Sequence, residues 1–182
     1  MAIIRTQSNS IDVVTATTHY AFISPYDEEL SQFPYVRIRN TVFKTQHHHQ
    51  VHQGVVCLNA PMRKTIQTLA PNNNYALDVQ GLSANDISNL DEAQTVQVLL
   101  ASLHLNTDYA NLEPSEICRE AKRIMLNVGV LRKGQFFGFK INDQIVWLSV
   151  VNVLNGSHPG SSDEYYTTYR IVESTEVELM SD

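Results

Sequence analysis

The basic pair Arg63-Lys64 directly follows an apolar stretch of the chain, and its two side chains could bind acidic groups. An arginine guanidinium donates two parallel hydrogen bonds to a carboxylate, and a lysine ammonium adds a compact positive charge. The pair is therefore a candidate for one half of a surface that holds acidic side chains of a partner protein. The alternative is that both residues are ordinary solvated charges on a short helix.

A run of histidines, HHHQVH, stands at residues 47–52. On a helix, His48 and His52 would lie one turn apart, a spacing that suits a metal ion. The run is predicted to form the tip of a β-hairpin over residues 43–55 instead, and no Asp or Glu lies close by in the sequence. We interpret it as an exposed polar loop. A small barrel enzyme or a metal-binding protein that uses His47–His52 stays open as the alternative function.

The other reactive side chains form no catalytic pattern. Cys57 stands in the apolar stretch 55–58, which predicts a buried, inert thiol. Cys118 has basic neighbours on a predicted helix, but no motif marks it as a nucleophile. The GxSxG, HExxH, GxxxxGK[ST] and Asp-Thr/Ser-Gly signatures do not occur. The sequence therefore predicts no enzymatic activity, no cofactor and no metal site.

Short extended segments dominate the first half of the chain. Tyr35–Arg39 alternates apolar and basic residues, as a half-exposed strand does, whereas Val55–Leu58 is continuously apolar and predicts a central strand buried on both faces. Further strands are predicted at residues 11–16, 20–24, 42–45 and 75–80, and Pro61 is predicted to open a short helix over residues 62–69. These elements predict a small barrel, assigned to residues 1–81.

Residues 82–92 have the polar composition of a linker, and a second unit is predicted over residues 93–182. Its clearest element is a helix from Pro114 to Val128 with one apolar stripe, which Gly129 ends. A strand is predicted at 95–103, one hairpin at 136–141 and 145–153, and a closing hairpin at 165–173 and 176–180. The whole is predicted as mainly β with an α+β second unit.

The charge is uneven along the chain of 182 residues. The formal net charge is −6, and residues 163–182 hold six acids and one base. Since no basic stripe exists, binding of nucleic acid is not expected, and no apolar run reaches the length of a membrane span. Two cysteines without CxxC spacing indicate a reducing compartment. The predicted location is therefore the cytoplasm.

Four co-linear stretches resemble the N-terminal domain of NSF, the N-ethylmaleimide-sensitive fusion protein, which is related to the N domain of valosin-containing protein. They are Tyr35–Asn40, Gly54–Lys64, Gly134–Val153 and Arg170–Leu179. The resemblance covers about residues 11–180. It implies a double-psi β-barrel followed by a β-α-β-β roll, with an adaptor-binding cleft between the two. It also implies a non-enzymatic module that binds SNAP proteins, ubiquitin-pathway adaptors or the ATPase machinery itself, in vesicle trafficking and membrane fusion.

The same resemblance places the partner-binding residues at Arg63, Lys64, His104 and Asn106. The stretch Leu103–Asn106 stands where the family has a basic pair and contains no Lys or Arg. This departure and the net negative charge predict weaker binding of SNAP proteins, or a different partner. No ATPase motif occurs in the sequence, so the chain is expected to be a stand-alone mimic or competitor, an adaptor of its own, or a piece of a longer ATPase. If that mimic came from a pathogen, it would act in the host cytosol.

Overall fold

The computed structural model describes residues 2–6, 18–66, 75–101, 111–155 and 167–180. Over these residues the protein is mainly β with some helix. The strands are β1 Ala2–Thr6, β2 Ala21–Ile23, β3 Tyr35–Ile38, β4 Thr41–His47, β5 Val55–Leu58, β6 Tyr75–Leu77, β7 Val79–Leu82, β8 Thr95–Leu100, β9 Val130–Arg132, β10 Phe136–Ile141, β11 Gln144–Leu154, β12 Thr168–Arg170 and β13 Glu176–Leu179. The helices are α1 Ala60–Thr65, α2 Ala84–Ser88 and α3 Pro114–Val128.

The first unit, which ends at β7, is a curled sheet of seven strands. Their order is β6-β1-β5-β2-β4-β3-β7. The two edge strands, β6 and β7, are separated in the chain by Asp78 alone, so the sheet must curl until its edges lie side by side. The result is a half-barrel. Two strand pairs, β1 with β5 and β2 with β4, are parallel, while the other neighbours are antiparallel.

Strand β5 is buried on both faces, as its apolar sequence predicts. Val56 and Leu58 belong to the main core of the half-barrel, which also contains Phe43. Val55 and Cys57 point to the other side and pack with Phe22 and Val51. The prediction of a buried thiol at Cys57 is confirmed, since the residue is 3% exposed.

The segment between the two units contains helix α2 and is more ordered than a polar linker. Ser83 caps this helix: its hydroxyl accepts from the Asp86 amide at 3.2 Å, and the Asp86 carboxylate accepts from the Ser83 amide at 2.7 Å. This reciprocal capping box satisfies two backbone donors that a short helix leaves free. The Ser83 hydroxyl also donates to the Asp86 carboxylate at 2.6 Å, and this bond, followed by the one from the Ser83 amide, lowers the pKa of Asp86.

Helix α3 organises the second unit and has the predicted limits. Its buried stripe is Ile117, Ala121, Ile124, Met125 and Val128, and Gly129 ends it in the left-handed conformation, at φ 82°. The stripe covers one face of a four-stranded sheet with the order β10-β11-β8-β13. Strands β9 and β12 form a separate two-stranded ribbon.

One predicted hairpin is confirmed and the other is wrong. Strands β10 and β11 pair around Asn142 and Asp143, whose φ angles of 47° and 66° are those of a type I′ turn. The closing hairpin does not exist, because β12 pairs with β9 and β13 pairs in parallel with β8. Ser174 and Thr175 therefore connect strands of different sheets. None of the described helices is long and apolar enough to cross a membrane.

Candidate partner-binding site

Arg63 and Lys64 lie on α1, at the contact between the two units, which we call the seam. Asn59 caps the helix, since its side chain accepts from the Met62 amide at 3.0 Å, and Pro61 supplies a backbone preformed for the first turn. The helix runs from Ala60 to Thr65 and thus begins two residues before the predicted range, 62–69. Residues 67–69 of that range lie outside the described residues. The last turn of the helix carries both cations.

Each cation of the pair already has a contact within the chain. Arg63 Nη1 donates to the Leu58 carbonyl at 2.8 Å, and partial burial lowers the pKa of its guanidinium. Lys64 Nζ lies 4.3 Å from the centre of the Phe136 ring, a cation–π distance. The two charges are therefore held in place and keep part of their surface open to solvent.

The C-terminal end of α1 gathers two more cations. Arg39 Nη1 donates to the Ile66 carbonyl at 2.5 Å, and Arg132 Nη2 donates to the Thr65 carbonyl at 3.1 Å. A helix C-terminus carries partial negative charge and free carbonyls, so it attracts such side chains. The result is a local concentration of positive charge in a chain whose net charge is negative. We call Arg39, Arg63, Lys64 and Arg132 the basic cluster.

Arg132 joins the two units at the seam and is only 6% exposed. Its guanidinium donates to Thr41 Oγ1 at 2.7 Å and to the Lys133 carbonyl at 2.8 Å, in addition to the Thr65 carbonyl. Thr65 makes a second hydrogen bond between the units, since its hydroxyl accepts from the Phe136 amide at 3.0 Å. Sequence reasoning missed Arg132, because an arginine that ends a short strand and precedes Lys133 has no local signal of burial.

A second set of contacts closes the seam at the end of α3. Lys44 Nζ donates to the Asn127 carbonyl at 2.7 Å, and the Tyr20 hydroxyl exchanges hydrogen bonds with the Asn127 side chain. Gly129 lies so close to Tyr35 that a Cβ there would approach the phenol oxygen to 2.9 Å. Burial raises the pKa of Tyr35. The two units therefore also contact each other at the end of α3.

Between these contacts the seam leaves a cavity of about 10 Å³. Its lining includes His19, Met62, Phe136 and Phe137. The His19 ring packs 6.3 Å from the Phe137 ring, and burial, followed by the charge of Arg123, lowers the pKa of His19 to about 4. A space of this size holds one water molecule at most, so it does not admit a side chain of a partner.

The other two predicted contact residues, His104 and Asn106, lie outside the described residues. Their position relative to Arg63 and Lys64 stays a prediction. The aromatic residues of β10 and β11 mostly form core: Phe137, Phe139 and Trp147 are buried. Phe136 points to the opposite face from Phe137 and Phe139 and is half-buried beneath Lys64.

The histidine run does not form a hairpin tip, because β4 and β5 are not neighbours: β2 lies between them. His47 Nε2 lies 2.9 Å from the Ser31 carbonyl, and His48 packs edge-on against Phe22. His49 lies beside the exposed Tyr26. Within the part of the chain that the structure describes, no group of three or more His, Cys, Asp or Glu side chains could hold a metal ion.

The chain was compared with known proteins. No protein-family model matches it, and no curated protein is significantly similar to it.

Proposed function

We propose that this chain is a non-enzymatic protein-interaction module that resembles the adaptor-binding N domain of NSF-type ATPases. The seam would be its binding site, and Arg63 and Lys64 its main contact residues, with His104 and Asn106 nearby. The partner class is an acidic protein surface: a SNAP protein, a ubiquitin-pathway adaptor or the ATPase machinery itself. The module would act in the cytoplasm, in vesicle trafficking, as a mimic or competitor of the N domain.

The fold proposed with this function is a double-psi β-barrel followed by a β-α-β-β roll. The order of elements supports it, since a curled sheet precedes a unit with one long helix on a four-stranded sheet. The two parallel pairs, β1 with β5 and β2 with β4, also support it. Simple up-and-down barrels pair consecutive strands in antiparallel order and do not produce such pairs.

One observation carries the function: the basic cluster at the end of α1 in an otherwise acidic chain. Arg39, Arg63 and Lys64 are held by two backbone carbonyls and one ring, so little side-chain entropy is lost when a partner binds them. Because the cavity between the units is nearly closed, the partner would lie along the outside of the seam. Binding would then depend on charge, and it would weaken as the salt concentration rises.

The experiment measures binding of a purified SNAP protein and of a purified ubiquitin-pathway adaptor by calorimetry. The test variant is Arg63→Glu/Lys64→Glu. The matched control is Arg119→Glu/Lys140→Glu, which reverses two exposed cations of the second unit and changes the net charge equally. We expect the test variant to weaken binding at least about tenfold and the control less than about threefold. If both lose the same affinity, or if neither protein binds the wild type, the proposal is wrong.

A further inference from the structure

The outer face of the four-stranded sheet, opposite α3, displays acids that the seam does not use. Along β8 and β13, alternation places Val96, Val98, Val177 and Leu179 against the core. Thr95, Gln97 and Leu99 therefore point outward on β8, and Glu176 and Glu178 point outward on β13. Helix α1 contacts this face at its β10 edge, through Lys64 and Phe136, whereas no described helix packs on the outer side of β8 and β13.

A row of hydrogen bonds crosses three strands of this face. Gln97 Nε2 donates to Glu178 Oε2 at 3.0 Å, and Asn152 Nδ2 donates to Gln97 Oε1 at 3.4 Å. The row fixes the Glu178 carboxylate on the surface while one of its oxygens stays available. Because the chain of amides is polar but uncharged, the net charge of the row is that of Glu178.

Exposed apolar side chains border this polar row on both sides. Leu154, opposite Thr95, is 42% exposed, and Met180, next to Leu99, is 40% exposed. They are two of the four large apolar side chains that the described residues leave exposed. The face therefore combines two exposed apolar side chains with two glutamates in one line.

An open cleft of about 560 Å³ continues the face past the first residues of β8 and β13. Asp91, Glu92 and Glu176 line it together with Gln94 and Asn155. Within the described residues, Arg170 is the cation that pairs with one of these carboxylates, Glu92. Three carboxylates against one cation leave the cleft acidic.

We propose that this outer face, the acidic face of Thr95, Gln97, Leu99, Glu176, Glu178 and Met180, binds a basic amphipathic helix of a partner protein. Charge complementarity selects a basic occupant. A helix fits the spacing, since Glu176 and Glu178 lie about 6.6 Å apart along the strand and residues i and i+4 of a helix rise about 6 Å. Two lysines at that spacing would meet the two glutamates, while leucines beside them would cover Leu99 and Met180.

Such a helix would add a layer over β8 and β13, whose opposite side packs against the core beneath α3. A helix of about three turns, about 16 Å long, would cross the face and bring a further lysine or arginine into the cleft. This surface is separate from the seam and does not depend on the proposed function. Its test variants also differ from those of the seam. A negative result for the acidic face would therefore not contradict the proposed binding site at the seam, and the reverse also holds.

The probe is a synthetic 14-residue amphipathic helix of leucine and lysine, labelled for fluorescence anisotropy. Glu176→Lys/Glu178→Lys is the test variant, and Glu28→Lys/Glu29→Lys, in a loop of the first unit, is the control with the same change in net charge. We expect the test variant to weaken binding at least tenfold and the control less than twofold. Met180→Gln should weaken binding about threefold, because it removes an apolar contact but no charge.

Two further measurements can overturn the proposal. A peptide of the same composition with strictly alternating leucine and lysine favours a strand, and tighter binding of that peptide would contradict a helical occupant. Amide chemical shifts should change at Gln97 and Leu99 when the helical probe is added. Shift changes confined to the seam, or equal losses in the test and control variants, would show that the acidic face is not the site.

Discussion

The guanidinium of Arg132 is the best place to test whether the two units depend on each other for stability. Replacing Arg132 with alanine removes at least three hydrogen bonds, to Thr41 Oγ1, the Lys133 carbonyl and the Thr65 carbonyl. Hydrogen bonds from a charged group contribute about 1.5–3 kcal/mol each, and neighbouring losses are not additive. Since Arg132 is buried and the acceptors it leaves are screened from water, we expect a loss of about 3–5 kcal/mol in the free energy of unfolding.

The assay is urea denaturation followed by two signals. Trp147 is the single tryptophan of the chain and is 5% exposed in the second unit, so its fluorescence reports that unit, while far-ultraviolet circular dichroism reports both units. In the wild type we expect the two transitions to coincide. In Arg132→Ala we expect them to separate, because the seam no longer couples the units.

Two control variants test whether the loss of stability is specific to the contacts of Arg132. Arg119→Ala removes an exposed arginine, whose side chain is 72% exposed, and should cost less than about 1 kcal/mol. Arg132→Lys keeps the charge but not the fork, so its loss should fall between those of the other two variants. A loss in Arg132→Ala no larger than in Arg119→Ala, with coincident transitions, would refute the role assigned to Arg132.

Three further predictions concern single contacts. Because burial lowers the pKa of His19 from 6.5 to about 4, its contribution to stability is complete above pH 6.5 and is lost as the pH falls towards 4. The loss in the free energy of unfolding is about 3 kcal/mol. His19→Gln should abolish this pH dependence, which is measured as the denaturation midpoint at a series of pH values. Asp27 is buried and accepts from three backbone amides, so Asp27→Ala should cost about 2–4 kcal/mol and speed proteolysis of its loop, whereas an unchanged cleavage rate would contradict this. A Cβ on Gly81 would lie 2.1 Å from the ring of Phe33, so Gly81→Ala should cost about 1–3 kcal/mol, and adding Phe33→Ala should recover part of it in a double-mutant cycle.

Local signals predicted the elements that local interactions stabilise. The limits of α3 were predictable from the apolar stripe between Ile117 and Val128 and from the glycine after it. Both the helical periodicity and the left-handed end depend on residues that are close together in the sequence. The turn at Asn142-Asp143 gave the β10–β11 hairpin for the same reason. The continuous apolar run of β5 predicted burial on both faces, which the two separate clusters confirm.

Pairings between distant segments were not predictable from the same signals. Strand β13 was expected to pair with its neighbour in sequence, but it lies in parallel beside β8, and its contacts are more than 80 residues away. Strand β1 was missed, and the single strand predicted at 75–80 is divided into β6 and β7 at Asp78. The Ser83 capping box was present in the sequence and could have revealed α2.

The candidate site shows the same limit. Arg63 and Lys64 were predicted as contact residues from their charge and from the resemblance, but the contact of Lys64 with Phe136 comes from the other unit and depends on how the two units pack. Arg132 could not be found from the sequence, since its acceptors Thr41 and Thr65 lie 91 and 67 residues away. A sequence identifies such a residue only when many related chains can be compared.

The net charge of −6 conceals two surfaces of opposite sign, and their positions decide whether they interact. The basic cluster adjoins β10 through Lys64 and Phe136, whereas Glu176 and Glu178 lie on β13, and these strands are the two edges of the four-stranded sheet. Three strand spacings of about 4.8 Å separate the edges, which is more than the Debye length of about 8 Å at physiological salt. Charge reversal on one surface should therefore leave binding at the other nearly unchanged, and the two partners should bind at the same time. A linkage of more than about threefold between the two affinities would require a shift of the units at the seam, and Arg132→Ala should then abolish it.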